Sequence, residues 1–355
     1  MAQLLSLGTV RSISGESSQD RGLNDYQKIG FGQCGLIFHR NGVETVIKVA
    51  RPFFQDSLYA DSLAHRAVQA AFDEQPEAPT CRLPKFHIHH EETSAWWEDN
   101  ETLLAEQHPT FPLPSSVLIS EYIPPLPQTV REALIEQYCP KVKYEEALRD
   151  PINHHCLARV YLGRRRVPIQ PLQTNFSLRN FNLHLDQMID MDLPVVKYAE
   201  AIGETLAILH WGAHIDAYDV EFVLGSEALS KTEATTRIWV LDFNLCSRFN
   251  EEVAIEHPNR VIDQLVDSFF ENDPYYPRPG SNGEMERQLW DTFKTAYVLK
   301  AETVLSMSGA DATLLCLPRK FIEACVDRGA KSLSLLMKYR SYNPTSGRWT
   351  ERLLD

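Results

Sequence analysis

From about residue 25 the chain alternates short apolar runs with turn residues. Tyr26 to Gly30, Cys34 to His39 and Thr45 to Ala50 each have the length and the bounding Gly or Asn of a strand. Asn41-Gly42, between the second and third run, suits a tight hairpin because both residue types accept positive φ. Over 58–74 the period changes: Tyr59, Leu63, Ala67, Ala70 and Ala71 fall on one helical face. A proline-spaced stretch at 106–116 leads into an expected strand, Val117 to Tyr122, stopped by Pro124, Pro125 and Pro127. A helix near 128–148 follows, then two runs of mixed period, CLARVYLGRRR and FSLRNFNLHLDQM. From Pro194 the pattern is helical again, with Ala199, Ile202, Leu206 and Leu209 on one face. Arg237 to Leu241 reads as a short buried strand, and 257–340 as mostly helical, interrupted by DPYYPRPGSNG at 273–283. There is no internal repeat and no heptad pattern.

Composition narrows the class. In 355 residues, 43% hydrophobic content supplies a substantial core, which excludes wholesale disorder. Residues 1–24 are small and polar past their first few positions and read as a flexible N-terminal arm. No apolar run reaches the roughly 18 residues of a membrane span, and the N-terminus has no secretory pattern. The seven cysteines are scattered, odd in number and never arranged as CxxC, which points to reduced thiols and a cytoplasmic protein. The net charge of −13 disfavours a dedicated nucleic-acid coat and argues against DNA as a partner, while leaving room for a local basic patch.

The chemistry enters through three segments. Ile29-Gly30-Phe31-Gly32-Gln33-Cys34-Gly35 carries GxGxxG, and glycines let a backbone turn tightly against phosphate oxygens. Gly30, Gly32 and Gly35 precede Lys48 on the expected third strand, an order that resembles a kinase rather than a dinucleotide fold, where a helix would follow at once. Asp61 or Glu74, on the next helix, would supply the acidic partner of Lys48. His214-Ile215-Asp216, with Glu221 five residues beyond the aspartate, is similar to the kinase catalytic loop; Asp216 takes the place of the base and Glu221 that of a magnesium-binding asparagine. Trp239 to Asn244 resembles a strand followed by DFG, with Asp242 as the acid and Asn244 accepting the left-handed backbone of the glycine. The fold implied is an α+β, protein-kinase-like two-lobed one: a small β-rich N-lobe over 25–123 and a larger helical C-lobe over 124–355.

Asp216, Asp219, Glu221 and Asp242 would crowd one cleft, and carboxylates so placed need cations: magnesium with a nucleotide, or a guanidinium. Arg159, Arg164, Arg165, Arg166 and Arg179 form a basic island in an acidic chain and are the candidates for phosphate contact. Ser177 beside them is a candidate acyl acceptor. FHIHH at 86–90 and NHHC at 153–156 lack zinc-site spacing, so no metal ligand is assigned.

Four blocks, CLARVYLGRRR, FSLRNFNLHLDQM, LAILHWGAHIDAYDVEFVLG and WVLDFNLC, resemble a fungal family of unknown-function domains whose members often carry a zinc-finger label. That family is similar to the arginine-containing cyclodipeptide synthases of natural product biosynthesis. The resemblance implies aminoacyl transfer from arginyl-tRNA and a second aminoacyl-tRNA to make a diketopiperazine, with no cofactor. It implies an arginine pocket at Asp219, Glu221 and Asp242, and catalytic groups among Asp216, His214, His210 and Glu221. It also implies tRNA phosphate contacts at Gly30, Gly32, Gly35, Lys48, Arg164, Arg165, Arg166 and Arg179. Two other functions fit the motifs: an ATP-dependent small-molecule phosphotransferase similar to aminoglycoside kinases, which would need Mg-ATP, and a non-catalytic pseudokinase.

Overall fold

A computed structural model describes residues 9–11, 26–166, 176–228, 233–272, 274–339, 342–343 and 348–349. The chain begins with a short strand β1 (Thr9–Arg11), then three antiparallel strands, β2 (Tyr26–Phe31), β3 (Gly35–Arg40) and β4 (Thr45–Ala50). Helix α1 (Gln55–Asp73), strand β5 (Phe86–His90), helix α2 (Trp96–Gln107) and strand β6 (Val117–Glu121) complete the upper part, whose sheet order is β2-β3-β4-β6-β5. Alternation along the strands decides what each face meets. Tyr26, Leu36, Phe38, Ile47, Val49 and Val117 pack with Trp97 and Leu104 of α2, whereas Cys34, Ala50 and Leu118 pack with Leu58 of α1. Helix α2 had no counterpart in the sequence reading. Its stripe is narrow, with Trp97 and Leu104 its buried residues, so hydrophobic periodicity announces it weakly.

Below Tyr122–Pro127 the expected helix at 128–148 is two helices, α3 (Gln128–Tyr138) and α4 (Tyr144–Arg149), because Pro140 has no amide to continue the ladder. The two runs of mixed period become strand β7 (Ala158–Tyr161), strand β8 (Asn182–His184) and helix α5 (Leu185–Asp190). Helix α6 (Val195–Trp211) then leads to the hairpin of β9 (Glu221–Ala228) and β10 (Glu233–Leu241), which joins a second sheet of order β1-β10-β9-β7-β8. Of the expected N-terminal arm, Thr9–Arg11 thus pair with Glu233–Thr235, and the rest lies outside the described residues. Helices α7 (Glu251–Glu256), α8 (Pro258–Glu271), α9 (Glu284–Ser308) and α10 (Ala312–Tyr339) follow, with a two-stranded ribbon of β11 (Tyr342–Asn343) and β12 (Arg348–Trp349).

One large core runs through the lower part and takes in Ala64, Val68, Ala71 and Phe72 of α1, so that helix packs on both lobes. Helix α6 lies close against α9: a Cβ on Gly203 would stand 2.5 Å from the Phe293 carbonyl oxygen. The lobes are also stitched by Arg82, whose amide donates to Ile238 at 2.8 Å and whose carbonyl accepts from Val240 at 2.9 Å. All seven cysteines are free thiols. No helix among the described residues is long and apolar enough to cross a membrane.

Candidate functional site

Between the lobes lies a cavity of about 230 Å3. Its roof is the turn between β2 and β3, closed by a hydrogen bond from the Gly32 amide to the Gly35 carbonyl at 2.9 Å. A Cβ on Gly35 would sit 2.6 Å from the Val49 carbonyl oxygen, so only glycine lets β3 lie this near β4. Gly32 has nothing within 4 Å of its Cβ position and overhangs open space. Apolar walls come from Ile29, Ile37, Val46, Leu118, Ile123, Leu157, Val223 and Leu241.

At the inner end Lys48 Nζ stands 2.8 Å from Asp61 and 2.6 Å from Asp242. Asp61, from the first half of α1, is the acid that meets it; Glu74 is exposed at the end of that helix. The other Asp61 oxygen accepts the Phe243 amide at 3.1 Å, tying α1 to the segment after β10. Burial pushes the Lys48 ammonium toward neutrality, but Asp242 and Asp61 more than offset it and hold its pKa above the ordinary value. Asp242 adopts φ +66°, and the left-handed residue is therefore this aspartate rather than Asn244, where the sequence pattern placed it.

The acidic cluster divides. Glu221 lines the cavity beside Arg159 of β7, and the two form an ion pair. Arg159 thus belongs to the cleft wall, not to a phosphate-facing island. Asp216 does not line the cavity. It is 5% exposed, with one oxygen accepting the Tyr218 amide at 3.2 Å and the Ser247 amide at 2.9 Å, and the other accepting Gln264 Nε2 at 3.0 Å. Its carboxylate organises the loop instead of facing the cleft as a base. Asp219 (φ +60°) is exposed and is not among the lining residues. The guanidinium pocket expected of Asp219, Glu221 and Asp242 is therefore not assembled: one acid points elsewhere and the other two face cations of the protein itself.

The two candidate histidine bases also stand apart from the cavity. His210 is 1% exposed, its Nδ1 2.9 Å from the Tyr297 hydroxyl that also accepts Trp211 Nε1 at 2.8 Å. Burial lowers its pKa to about 3. His214 (φ +54°) lies 3.6 Å from Glu251 and accepts the Phe249 amide on its carbonyl at 3.0 Å. Of the basic residues, Arg165 pairs with Glu286 at 2.6 Å and Arg166 with Asp186 at 2.7 Å; neither they nor Arg164 line the cavity. Arg179 does line it, its guanidinium 3.3 Å from the Phe31 ring centroid in the glycine turn. Ser177 is spent locally, donating to Asn153 at 3.4 Å and accepting the Arg179 amide at 3.1 Å.

Two cleft residues are not among those the sequence assigns to the site. His155, whose pKa burial lowers to about 4, lines the cavity as a neutral imidazole. Glu121, at the end of β6, accepts the Lys85 amide at 2.9 Å and makes no ion pair among the described residues. NHHC and SEY offer no spacing signal for either; the partner strands and turns bring them in.

A family model described as zinc finger protein (DUF3669) matches residues 238–309. Among the described residues no group of three or more His, Cys, Asp and Glu side chains is placed to hold a metal ion. No curated protein matches the chain. Among solved structures, the chain is similar to the Mycobacterium tuberculosis PknI kinase domain at 12% identity and TM-score 0.25, over 85% of this chain and 96% of that one. It is also similar to a microcompartment-associated aminopropanol kinase at 9% identity and TM-score 0.23, over 85% and 93%. Scores this low carry no functional argument. The glycine turn between the first two sheet strands, the lysine of the third strand ion-paired to the following helix, and the aspartate closing the lower hairpin place the chain in the kinase-like two-lobed fold.

Proposed function

We propose that the chain is a transferase whose interlobe cleft binds an adenosine nucleotide, with the phosphates under the glycine turn and against Lys48. The observation that carries this reading is Lys48 held between Asp61 and Asp242 beneath an open Gly32. The apolar slot suits a flat base, and the charged end suits phosphates. The cleft is lined by three cationic side chains, Lys48, Arg159 and Arg179, and four carboxylates, Asp61, Glu121, Glu221 and Asp242. A bare polyphosphate would be repelled by that balance, so a phosphate donor would enter with a divalent cation, for which Asp242 is the side chain in place. On this frame the activity is phosphotransfer to a small molecule.

A second reading, tRNA-dependent cyclodipeptide synthesis with arginine as one unit, is favoured by a specific observation. Asp216 is saturated by three donors, and Glu221, where a kinase places a neutral amide, is taken by Arg159. Loss of those two positions weakens phosphotransfer but not acyl transfer, because the ester of a charged tRNA is already activated. The terminal adenosine of the tRNA would use the same slot. Each α-amine would attack the other residue's ester carbonyl, forming two amides and releasing the two tRNA hydroxyls. Recognition of the arginine side chain would then fall to Glu121, the cleft carboxylate outside an ion pair, and not to Glu221.

Calorimetry with Mg-ATP, Mg-ADP and adenosine tests the common part, and absence of binding by all three would refute it. Expression in a host with its own charged tRNA pool, with mass spectrometry for cyclo(Arg-Xaa), separates the chemistries. Such a product that disappears in Glu121→Gln establishes the second reading; ATP turnover without it establishes the first.

A further inference from the structure

We infer that Arg179 is the anion clamp of the cleft, a positioning residue that leaves the Phe31 ring to grip a phosphate of the entering ligand. The inference deepens the nucleotide reading and rests on it for the identity of the ligand. It begins with charge. Lys48 is flanked by two carboxylates and Arg159 faces Glu221, so neither cation offers uncompensated charge. Arg179 lines the same cavity, and among the described residues no carboxylate pairs with it. Its Nη1 is buried and has no hydrogen-bond partner among the described residues, which leaves a donor of a charged group unspent.

The backbone that carries Arg179 is fixed. The side chain of Asn153, itself 2% exposed, accepts the Leu178 amide at 2.7 Å and donates to the Ala147 carbonyl at 2.8 Å. Ser177 then accepts the Arg179 amide, and Asn180 follows at φ +53°. The hydrogen-bonded turn holds the Arg179 Cα in place, and the side chain reaches from it into the cavity. What the guanidinium rests on is Phe31, which belongs to the glycine turn and is 43% exposed. A cation over a partly exposed ring gains about 0.5–1 kcal/mol. A charge-assisted bond to phosphate is stronger, so a phosphate beneath Gly32 would draw the guanidinium off the ring. The Phe31–Arg179 contact spans the cleft mouth from the upper lobe to the β7–β8 connection.

The test titrates wild-type protein, Arg179→Ala and Arg179→Lys with Mg-ADP, adenosine and inorganic tripolyphosphate as its magnesium complex by calorimetry, with far-UV circular dichroism to show that each variant is folded. Mg-ADP and tripolyphosphate are expected to bind Arg179→Ala about 10-fold more weakly, the lower end for a hydrogen bond to a charged group, with adenosine unchanged. Arg179→Lys is expected to fall between, since an ammonium keeps the charge but not the planar fork. If tripolyphosphate binds in an Arg179-dependent way while ADP and adenosine do not bind, the clamp stands and the nucleotide reading fails. If adenosine and ADP bind but ADP is indifferent to Arg179→Ala, the nucleotide reading stands and the clamp is refuted. If wild-type protein binds neither ADP nor tripolyphosphate, the clamp is likewise refuted.

Discussion

Replacing Asp61 tests the idea that one buried carboxylate organises the inner end of the cleft. Asp61 is 2% exposed and accepts two bonds, from Lys48 Nζ at 2.8 Å and from the Phe243 amide at 3.1 Å. Asp61→Ala takes away both. The buried Phe243 amide then costs about 1–3 kcal/mol as an orphan donor. Lys48 keeps Asp242 as its counter-ion, so loss of the Asp61 ion pair strands no cation and costs about 1–2 kcal/mol. Asp61→Ala is therefore expected to destabilise the fold by roughly 2–5 kcal/mol, and Asp61→Asn, which keeps an oxygen for Phe243, by about 1–2 kcal/mol. The sharper consequence is one of sign. Lys48→Met strands two carboxylates with no cation between them, at about 3–5 kcal/mol. Adding Asp61→Asn to it removes one stranded charge, so the double variant should be more stable than Lys48→Met alone. Urea unfolding followed by tryptophan fluorescence reads each midpoint at constant slope. A double variant less stable than Lys48→Met, or an Asp61→Asn as damaging as Asp61→Ala, would overturn this account.

Two further expectations concern the roof and the wall. Gly35→Ala drives a Cβ to 2.6 Å from the Val49 carbonyl oxygen, while the same change at Gly32 meets nothing within 4 Å. Gly35→Ala should cost about 1–3 kcal/mol and Gly32→Ala stay within about 0.5 kcal/mol of wild type in the same unfolding assay; equal costs would contradict the geometry. His155 and His210 have folded pKa values lowered by burial, from 6.5 to about 4 and about 3. Their neutral rings contribute stability that is fully present above pH 6.5 and is lost as pH falls toward those lowered values. His155→Gln should reduce the acid-side slope of unfolding free energy by up to about 1.4 kcal/mol per pH unit, and a slope equal to wild type would show that His155 is not held neutral.

Much of the frame was legible in sequence because it is local. The three N-lobe strands, the Asn41-Gly42 turn, Lys48 on the third strand and the acid after β10 follow from alternation, turn chemistry and short spacings, which neighbours along the chain impose on each other. The helix at 128–148 is legible in type but not in extent, because Pro140 breaks an otherwise helical stretch into two helices. The mixed runs after it were not legible. β7 and β8 are parallel neighbours separated by a connection, and each is recognisable only once the other lies beside it.

The site divides along the same line. Glycine, lysine and aspartate types at kinase-like intervals suffice to say that a kinase-like cleft is in view. Which charge meets which was decided in three dimensions: Arg159 and Glu221 are 62 residues apart in sequence and Lys48 and Asp242 are 194 apart. Asp216 and Asp219 differ by only three positions, yet one is enclosed by Gln264 and two amides and the other is exposed. An acidic stretch of sequence carries the number of charges but not their directions, and the solvation and pairing that set each group's chemistry depend on direction. The sequence by itself determined the frame with its glycine turn and Lys48; the packing of α8 and β7 against the loop determined that two of its four acids line the cleft.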